Sequence, residues 1–214
     1  MDKNKKLVVW DIDGTLLDTT QGVVNAVRFV LSELKLPQLS DETVKLFVGP
    51  PMHQSMNKYC GLEGDDLQKA VNLFRLRYKD YELFKACLYP GVEKVMCAIQ
   101  DSGLKQAIAT FKREDYALNI CRYFQFDRYC TPIFGADNEN KLTKADIIAK
   151  CLTAHAIDDV SDAVMIGDMD SDKNAAEQLG IDFIGVNYGF GFRDNKNYAC
   201  NPTEILRKLN IGQK

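Results

Sequence analysis

The sequence has 214 residues, of which 46% are hydrophobic and 27% charged, and its formal net charge is −3. This length predicts one domain with an insertion or two small domains. The small net charge gives no broad basic surface, so we expect neither nucleic acid nor a membrane as partner, and no stretch is apolar enough to span a bilayer. The apolar run after the basic start MDKNKK is too short for a signal peptide. Seven cysteines without a CxxC pair indicate reduced thiols and a cytoplasmic protein.

Short apolar runs bounded by turn residues predict strands, and amphipathic segments of helical length lie between the later ones. The predicted strands are 7–10, 106–109, 129–134, 163–166 and 183–186, and the predicted helices are 93–101, 114–124, 144–155 and 171–179. This alternation predicts an α/β fold with a Rossmann-like parallel sheet as its core and helices on both faces.

The interval from Asp18 to Phe84 departs from this pattern because it contains helical periodicity and no convincing strand. The predicted helices here are 22–34, 41–47, 52–59 and 65–81. Turn-rich stretches, GTLLDTT and LYPGV, mark its two ends. We therefore expect a core domain formed by 1–17 and 85–214 and an all-helical cap domain, 18–84, inserted after the first strand.

Polar residues that follow the predicted strands are the candidates for a functional site, because ligands of open parallel sheets bind beyond the carboxyl ends of the strands. They are Asp11 and Asp13 after the first strand, Thr110 and Lys112 after the second, and Gly167, Asp168 and Asp172 after the fourth. Acidic groups, a hydroxyl and a lysine are the residue types that a site for a divalent metal and a phosphate requires.

Two acidic clusters, DID at Asp11 and DMDSD at Asp168, each follow an apolar run. A solvated turn is the ordinary explanation for one such cluster. An EF-hand calcium loop does not fit, because its sixth and twelfth positions would hold Leu16 and Gly22 in the first cluster. Carboxylates that converge at one sheet edge raise one another's pKa unless a cation compensates them. Mg²⁺ suits this role, since it binds few carboxylates and leaves positions for water and phosphate oxygens.

The segments WDIDGTLLDTT, ATFK, LTKADII and MIGDMDSD, in this order, resemble the four signature motifs of the haloacid dehalogenase (HAD) superfamily, nearest to its phosphoglycolate-phosphatase-like branch. The resemblance extends over essentially the whole chain, because the helical interval with FVGPPMHQS and YPGV is similar to the cap of that branch. It implies a phosphoric monoester hydrolase that acts with Mg²⁺ on a small phosphorylated metabolite.

The resemblance also implies roles for the acidic residues. Asp11 would be the nucleophile that forms an aspartyl-phosphate. Asp13 would protonate the leaving oxygen and then deprotonate the attacking water. Mg²⁺ would be bound by the Asp11 side chain, the Asp13 backbone carbonyl and Asp168, with Asp172 as a direct or water-mediated ligand. Asp170 would point to solvent.

A threonine and a lysine complete the implied set. Thr110 would hydrogen-bond the transferring phosphoryl group, and a lysine would neutralise its charge. Three lysines lie in the matching region: Lys141, Lys144 and Lys150. We favour Lys144, because Thr143 and Asp146 predict a capping box that begins a helix there, although a charged helix face would also explain any of the three.

Four other features are weaker signals, and three of them allow two interpretations. Lys112 is a further candidate to face the site. Phe111 replaces the asparagine common in the family and would form an apolar wall beside the substrate or pack under the cap. His53, in the helix that the GPP stretch begins, is a candidate substrate contact or a packed residue. The glycines of YGFGF lack the GK[ST] of a P-loop and predict the turn after the last strand.

Alternative functions remain at this stage. A phosphosugar mutase would use the same aspartyl-phosphate. A phosphonate hydrolase would need a cap lysine for a Schiff base, and a pyrophosphatase would act on a phosphoanhydride. A non-catalytic binding module on the same fold belongs to another class of protein.

Overall fold

The computed structural model of the protein describes residues 5–139 and 141–212. Contacts divide the chain into two compact units. One unit joins the segment that ends at Leu17 to the chain from Leu88 onward, and the other is Asp18–Cys87. The second unit corresponds to the interval predicted as a helical cap, which we expected to end at Phe84.

The first unit contains a five-stranded parallel sheet in the order β5-β4-β1-β6-β7. The strands of the described residues are β1 Leu7–Trp10, β2 Leu17–Asp18, β3 Cys87–Leu88, β4 Lys105–Arg113, β5 Ile133–Ala136, β6 Ala163–Gly167 and β7 Asp182–Gly185. β2 and β3 form a separate two-stranded sheet. β1 is the switch point, because the chain builds strands first on one side of it and then on the other.

In the second unit, which we call the helical unit, the helices are α1 Thr20–Glu33, α2 Asp41–Lys45, α3 Met52–Cys60 and α4 Gly64–Arg77. In the first unit, which contains the five-stranded sheet, the helices are α5 Val92–Asp101, α6 Glu114–Tyr123, α7 Lys144–Ala154, α8 Asp170–Leu179 and α9 Thr203–Lys208, and α5 to α8 alternate with the strands as predicted. The predicted α/β fold class is therefore confirmed. Among the described residues no helix combines the length and the apolar character that crossing a bilayer requires.

Helices cover both faces of the sheet. The side chains of β1, which point alternately to the two faces, show which helices lie on each. Leu7 and Val9 belong to a buried apolar cluster with residues of α7 and α8. Trp10 has the opposite parity, and its indole Nε1 donates to Gln106 Oε1 at 3.0 Å. Gln106 Nε2 in turn donates to the carbonyl of Met96 in α5 at 2.9 Å. α7 and α8 therefore cover one face, and α5 lies on the other.

Two strand boundaries differ from the sequence prediction. β4 does not stop at Ala109 but continues to Arg113, because its pairing with β5 shifts register between these two residues and then resumes. Thr110 and Lys112 therefore lie within the strand. β5 begins only at Ile133, since the amides of Tyr129 and Cys130 bond to Phe126 in a turn and not to the sheet. The short helix α9 was not predicted.

A π-helical turn, Tyr78–Glu82, replaces the end of the helix predicted at 65–81 in the helical unit. The fully buried Glu82 carboxylate accepts hydrogen bonds from Arg77 at 2.6 Å and from Asn25 at 2.9 Å, and it pairs with Lys85 at 2.9 Å. Residues five apart do not share a face of an α-helix, whereas the wider π turn closes at this spacing. The pairing of Arg77 with Glu82 thus accounts for the altered helical register.

Candidate active site

The first acidic cluster lies at the carboxyl end of β1. Asp11 continues the parity of Leu7 and Val9, which places its carboxylate on the side of the sheet that α7 covers. Lys144 is the first residue of α7, and the predicted capping box between Thr143 and Asp146 is present. Its ammonium Nζ lies 2.6 Å from Asp11 Oδ1, and both side chains are buried. The capping box thus begins the helix at the residue that contacts Asp11.

The second acidic cluster meets the first at this edge. Asp168 directly follows β6, and Asp172 lies in the first turn of α8. One carboxylate oxygen from each of Asp11, Asp168 and Asp172 lies within 4.8 Å of the others, and all three residues are buried. We call these three residues the acidic triad. Lys144 Nζ also lies 2.7 Å from Asp172 Oδ1, so one ammonium bridges two members of the triad.

The triad carries more negative charge than its neighbours neutralise. Burial raises the pKa of Asp11 to about 7, although the Lys144 ammonium opposes this shift. Burial, with the charge of Asp11 added, raises the pKa of Asp168 to about 8. Burial alone would lower the pKa of Lys144, but Asp11 and Asp172 raise it above its ordinary value. Three carboxylates around one ammonium leave net negative charge in a buried space, which is the condition that favours a bound cation.

Asp13 is outside the triad and has its own lysine. Its Oδ1 lies 3.1 Å from the Nζ of Lys112, whose side chain is only 6% exposed. The backbone N–H of Lys112 donates to Oγ1 of the buried Thr110 at 3.2 Å. Lys112 therefore touches two of the residues predicted for the site, one through its side chain and one through its backbone.

The other lysines weighed from the sequence lie away from the triad. Lys141 is 77% exposed and pairs with Glu139. Lys150 pairs with Glu114 at 3.4 Å. Asp170 is exposed, as predicted. Of the lysines compared as phosphate ligands, Lys144 is the one that the structure brings to Asp11.

Phe111 is partly buried and packs beside Lys144. It lies against the buried cluster under α7, and the Lys144 ammonium is 5.5 Å from the centre of its ring. An aromatic face at this distance attracts an ammonium group and restricts its movement. The residue that departs from the family pattern thus forms an apolar wall for the lysine.

The segment 188–192 makes contacts that the sequence did not reveal. We predicted the turn after the last strand, and the segment does follow β7. Its Phe190 N–H donates to Asp168 Oδ2 at 2.7 Å, while Thr15 Oγ1 donates to Asp168 Oδ1 at 3.3 Å. The Tyr188 hydroxyl donates to the Thr15 carbonyl at 3.0 Å. These bonds fix the orientation of the Asp168 carboxylate, as outer hydrogen bonds commonly do around metal ligands.

A glycine in that segment was the available sequence signal. A Cβ at Gly189 would lie 2.3 Å from the Gly14 carbonyl oxygen and 2.5 Å from Asp168 Oδ2. No side chain fits between two backbone segments and a carboxylate at such distances. The glycines of YGFGF therefore mark a close approach to Asp168, and not a phosphate-binding loop.

His53 lies in the helical unit, in the first turn of α3. It is half-buried, and its Nδ1 is buried without a hydrogen-bond partner among the described residues.

The chain resembles known hydrolases over most of its length. Residues 8–186 match the haloacid dehalogenase-like hydrolase family. A 5'-nucleotidase of Pseudomonas aeruginosa is 30% identical over 203 residues, which cover 94% of this chain and 91% of the relative. A solved structure of a haloacid dehalogenase-like hydrolase from Streptococcus pneumoniae superposes with a TM-score of 0.87 at 27% identity, covering 96% of this chain and 98% of the other.

Another relative is named as a kinase and not as a hydrolase. Tyrosine-protein kinase PtkA of Mycobacterium tuberculosis is 30% identical over 193 residues, which cover 90% of this chain but 65% of the kinase. This chain therefore spans just under two thirds of the length of that relative. The family match, the confirmed fold and the order of the motifs agree, and this chain belongs to the haloacid dehalogenase-like hydrolase family.

Proposed function

We propose that the protein is a Mg²⁺-dependent phosphatase that hydrolyses a small phosphorylated metabolite through an aspartyl-phosphate on Asp11. The observation that carries this proposal is the contact between Lys144 and Asp11 inside the buried acidic triad. A carboxylate is a suitable nucleophile, and a fixed ammonium beside it stabilises the charge of a phosphoryl group.

The triad fits a hard divalent cation. Its donors are carboxylate oxygens, which Mg²⁺ prefers, and they are close together with too little positive charge around them. Asp11, Asp168 and the Asp13 carbonyl would hold the ion, with Asp172 as a direct or water-mediated ligand. When bound, the ion would neutralise charge on the carboxylates and on phosphoryl oxygens.

The residues of the chain supply two displacement steps. An Asp11 oxygen attacks phosphorus while the bond between phosphorus and the leaving oxygen breaks. The leaving oxygen keeps the electron pair of that bond and receives a proton from Asp13. Asp13 then accepts a proton from water as the water attacks phosphorus and the bond to Asp11 breaks, which regenerates the Asp11 carboxylate. Thr110 and Lys144 would orient the phosphoryl oxygens in both steps.

A small phosphomonoester is the substrate class that we propose. The relative named 5'-nucleotidase supports a phosphatase, whereas the relative named tyrosine-protein kinase makes phosphoryl transfer to a tyrosine the alternative to test. His53 remains a proposed substrate contact. The seven free cysteines support a reducing, cytoplasmic location.

Phosphate release tests the proposal. Purified protein with Mg²⁺ should release inorganic phosphate from at least one phosphomonoester in a panel of phosphoglycolate, sugar phosphates and nucleoside monophosphates, with pyrophosphate tested beside them. Asp11→Asn should lose this activity, whereas Asp170→Asn, which alters an exposed carboxylate of the second cluster, should keep it. Equal activity of wild type and Asp11→Asn would contradict the proposal.

The same panel, extended with a phosphonate and with ATP plus a tyrosine-containing peptide, separates the alternatives. A mutase would convert sugar phosphate isomers without net phosphate release, and a kinase would transfer phosphate from a nucleotide to a tyrosine. Cleavage of pyrophosphate alone would indicate a pyrophosphatase, and cleavage of a phosphonate would indicate a phosphonate hydrolase. Binding of Mg²⁺ and phosphate without any turnover would indicate a binding module.

A further inference from the structure

The two aspartates of the DID motif contact different buried lysines. Lys144 Nζ contacts Asp11 at 2.6 Å, and Lys112 Nζ contacts Asp13 at 3.1 Å. The side chains of the two lysines are 4% and 6% exposed, so both ammonium groups are largely removed from solvent. Lys144 arrives from the start of α7, whereas Lys112 belongs to the register-shifted part of β4.

Lys112 is positioned to act on Asp13 through the ion pair. A lysine ammonium has three donors and no acceptor, so it can donate hydrogen bonds to the Asp13 carboxylate and fix the orientation of that carboxylate. A general acid contributes only when its oxygen is held within hydrogen-bond reach of the leaving group. A buried charge pair restricts a carboxylate more strongly than an exposed one, because solvent screens it less.

We propose that Lys112 is a positioning residue that holds Asp13 for proton transfer to the leaving oxygen, and that it does not bind the substrate phosphate. This inference rests on the proposed function, because it requires Asp13 to be the general acid. The backbone N–H of Lys112 also donates to Thr110 Oγ1. The Thr110 hydroxyl is the acceptor in this bond, so its own proton stays available for another hydrogen bond. Side-chain substitutions retain this backbone bond and therefore test the ion pair by itself.

The dependence of the rate on the leaving group distinguishes positioning of an acid from binding of phosphate. p-Nitrophenyl phosphate releases a stable phenolate and needs little proton transfer, whereas phenyl phosphate releases a more basic phenolate and benefits from an acid. The two esters have nearly the same size and the same phosphoryl group. kcat/KM reports the steps through the first irreversible one, which we take to be formation of the aspartyl-phosphate, so hydrolysis of that intermediate does not obscure the comparison.

We expect Lys112→Met to lower kcat/KM roughly 100-fold for phenyl phosphate, in the range of general acid catalysis, and less than about 5-fold for p-nitrophenyl phosphate. The inhibition constant of inorganic phosphate should stay within about twofold of wild type, because Asp13 and not phosphate engages the ammonium. Lys112→Arg keeps the charge and should restore most of the activity on phenyl phosphate.

Lys5→Met is the matched control. The Lys5 side chain is 5% exposed and its Nζ lies 2.5 Å from Asp182, so it is an equally buried lysine paired with a carboxylate. Lys5 precedes β1 and Asp182 begins β7, which places this pair at the amino ends of the strands, opposite the site. Its substitution should not change the ratio of the two rates. If Lys112→Met does not fold, Lys112→Gln is the neutral replacement that should give the same ester-dependent loss.

Asp13→Asn separates failure of this inference from failure of the proposed function. Asp13→Asn should show a larger difference between the two esters than Lys112→Met does. If Asp13→Asn shows none, the acid role of Asp13 in the proposed function is wrong. If Asp13→Asn shows it and Lys112→Met does not, or if Lys112→Met weakens both esters and phosphate inhibition equally, Lys112 does not position Asp13.

Discussion

Replacing Lys144 by methionine removes the one ammonium that contacts the acidic triad in the described residues. The change breaks contacts of 2.6 Å to Asp11 and 2.7 Å to Asp172 and leaves the carboxylates buried. Removing one partner of a buried ion pair costs about 3–5 kcal/mol of unfolding free energy. Because the Lys144 side chain is 4% exposed, solvent screening does not reduce this figure much.

The loss should depend on pH, which distinguishes it from a simple packing defect. The pKa of Asp11 is raised to about 7 and that of Asp168 to about 8, so these carboxyls take up protons as the pH falls. Protonated carboxyls need no counter-ion. We therefore expect Lys144→Met to cost about 3–5 kcal/mol near pH 8 and clearly less near pH 5, where Asp11 is protonated and no longer needs the ammonium as a counter-ion.

Urea unfolding in the presence of a chelator measures both values. Lys5→Met is again the control, since it removes a buried lysine whose carboxylate partner, Asp182, is 44% exposed and does not belong to the triad, and its cost should be similar at both values of pH. The reasoning would be refuted if Lys144→Met cost the same at both values of pH, or if it cost nothing near pH 8. Phosphatase activity of this variant with Mg²⁺ should fall by a factor of roughly 100–1,000.

Three further predictions concern other parts of the molecule. Because the folded-state pKa values of Asp11 and Asp168 lie above the unfolded value of about 3.9, metal-free protein should lose stability as the pH rises from about 4 to 8. Thermal unfolding should show Mg²⁺ restoring that stability near pH 8 but not near pH 5. Gly189→Ala should weaken Mg²⁺ binding roughly 10–100-fold in calorimetry, because its Cβ would displace Asp168. Burial raises the pKa of Glu82, but its hydrogen bonds and the Lys85 charge lower the pKa by a larger amount. The net shift is therefore downward. Glu82→Ala should therefore cost about 3–5 kcal/mol near neutral pH, and less as Glu82 of the wild type is protonated in acid, in denaturant titrations.

The sequence was sufficient wherever a local pattern determined the structure. The apolar runs predicted β1 and β6 closely, and Thr143 with Asp146 predicted the start of α7. Capping and strand periodicity depend on residues a few positions apart, so one sequence contains the information. The choice of Lys144 over Lys141 followed from such a local signal, and the structure then brings Lys144 to Asp11.

The sequence was insufficient where a boundary depended on a distant partner. β4 continues past Ala109 because β5 resumes pairing with it, and the turn after α4 widens because Arg77 reaches Glu82. Neither event changes the apolar periodicity of the segment in which it occurs. Propensity and pattern therefore favoured a shorter strand and a regular helix in these places.

The partners of Asp168 illustrate the same limit at the candidate site. Its two oxygens accept from Thr15 and Phe190, which lie far apart in the chain, and one of these bonds uses a backbone N–H that any residue type could supply. The residue type at position 190 therefore could not predict that contact. The sequence signal for it is one residue earlier, at Gly189, where the absence of a side chain permits the approach of Gly14 and Asp168. Glycines near a predicted metal ligand should thus be examined first as points of close contact, and substitution of Gly189 tests whether this one is required.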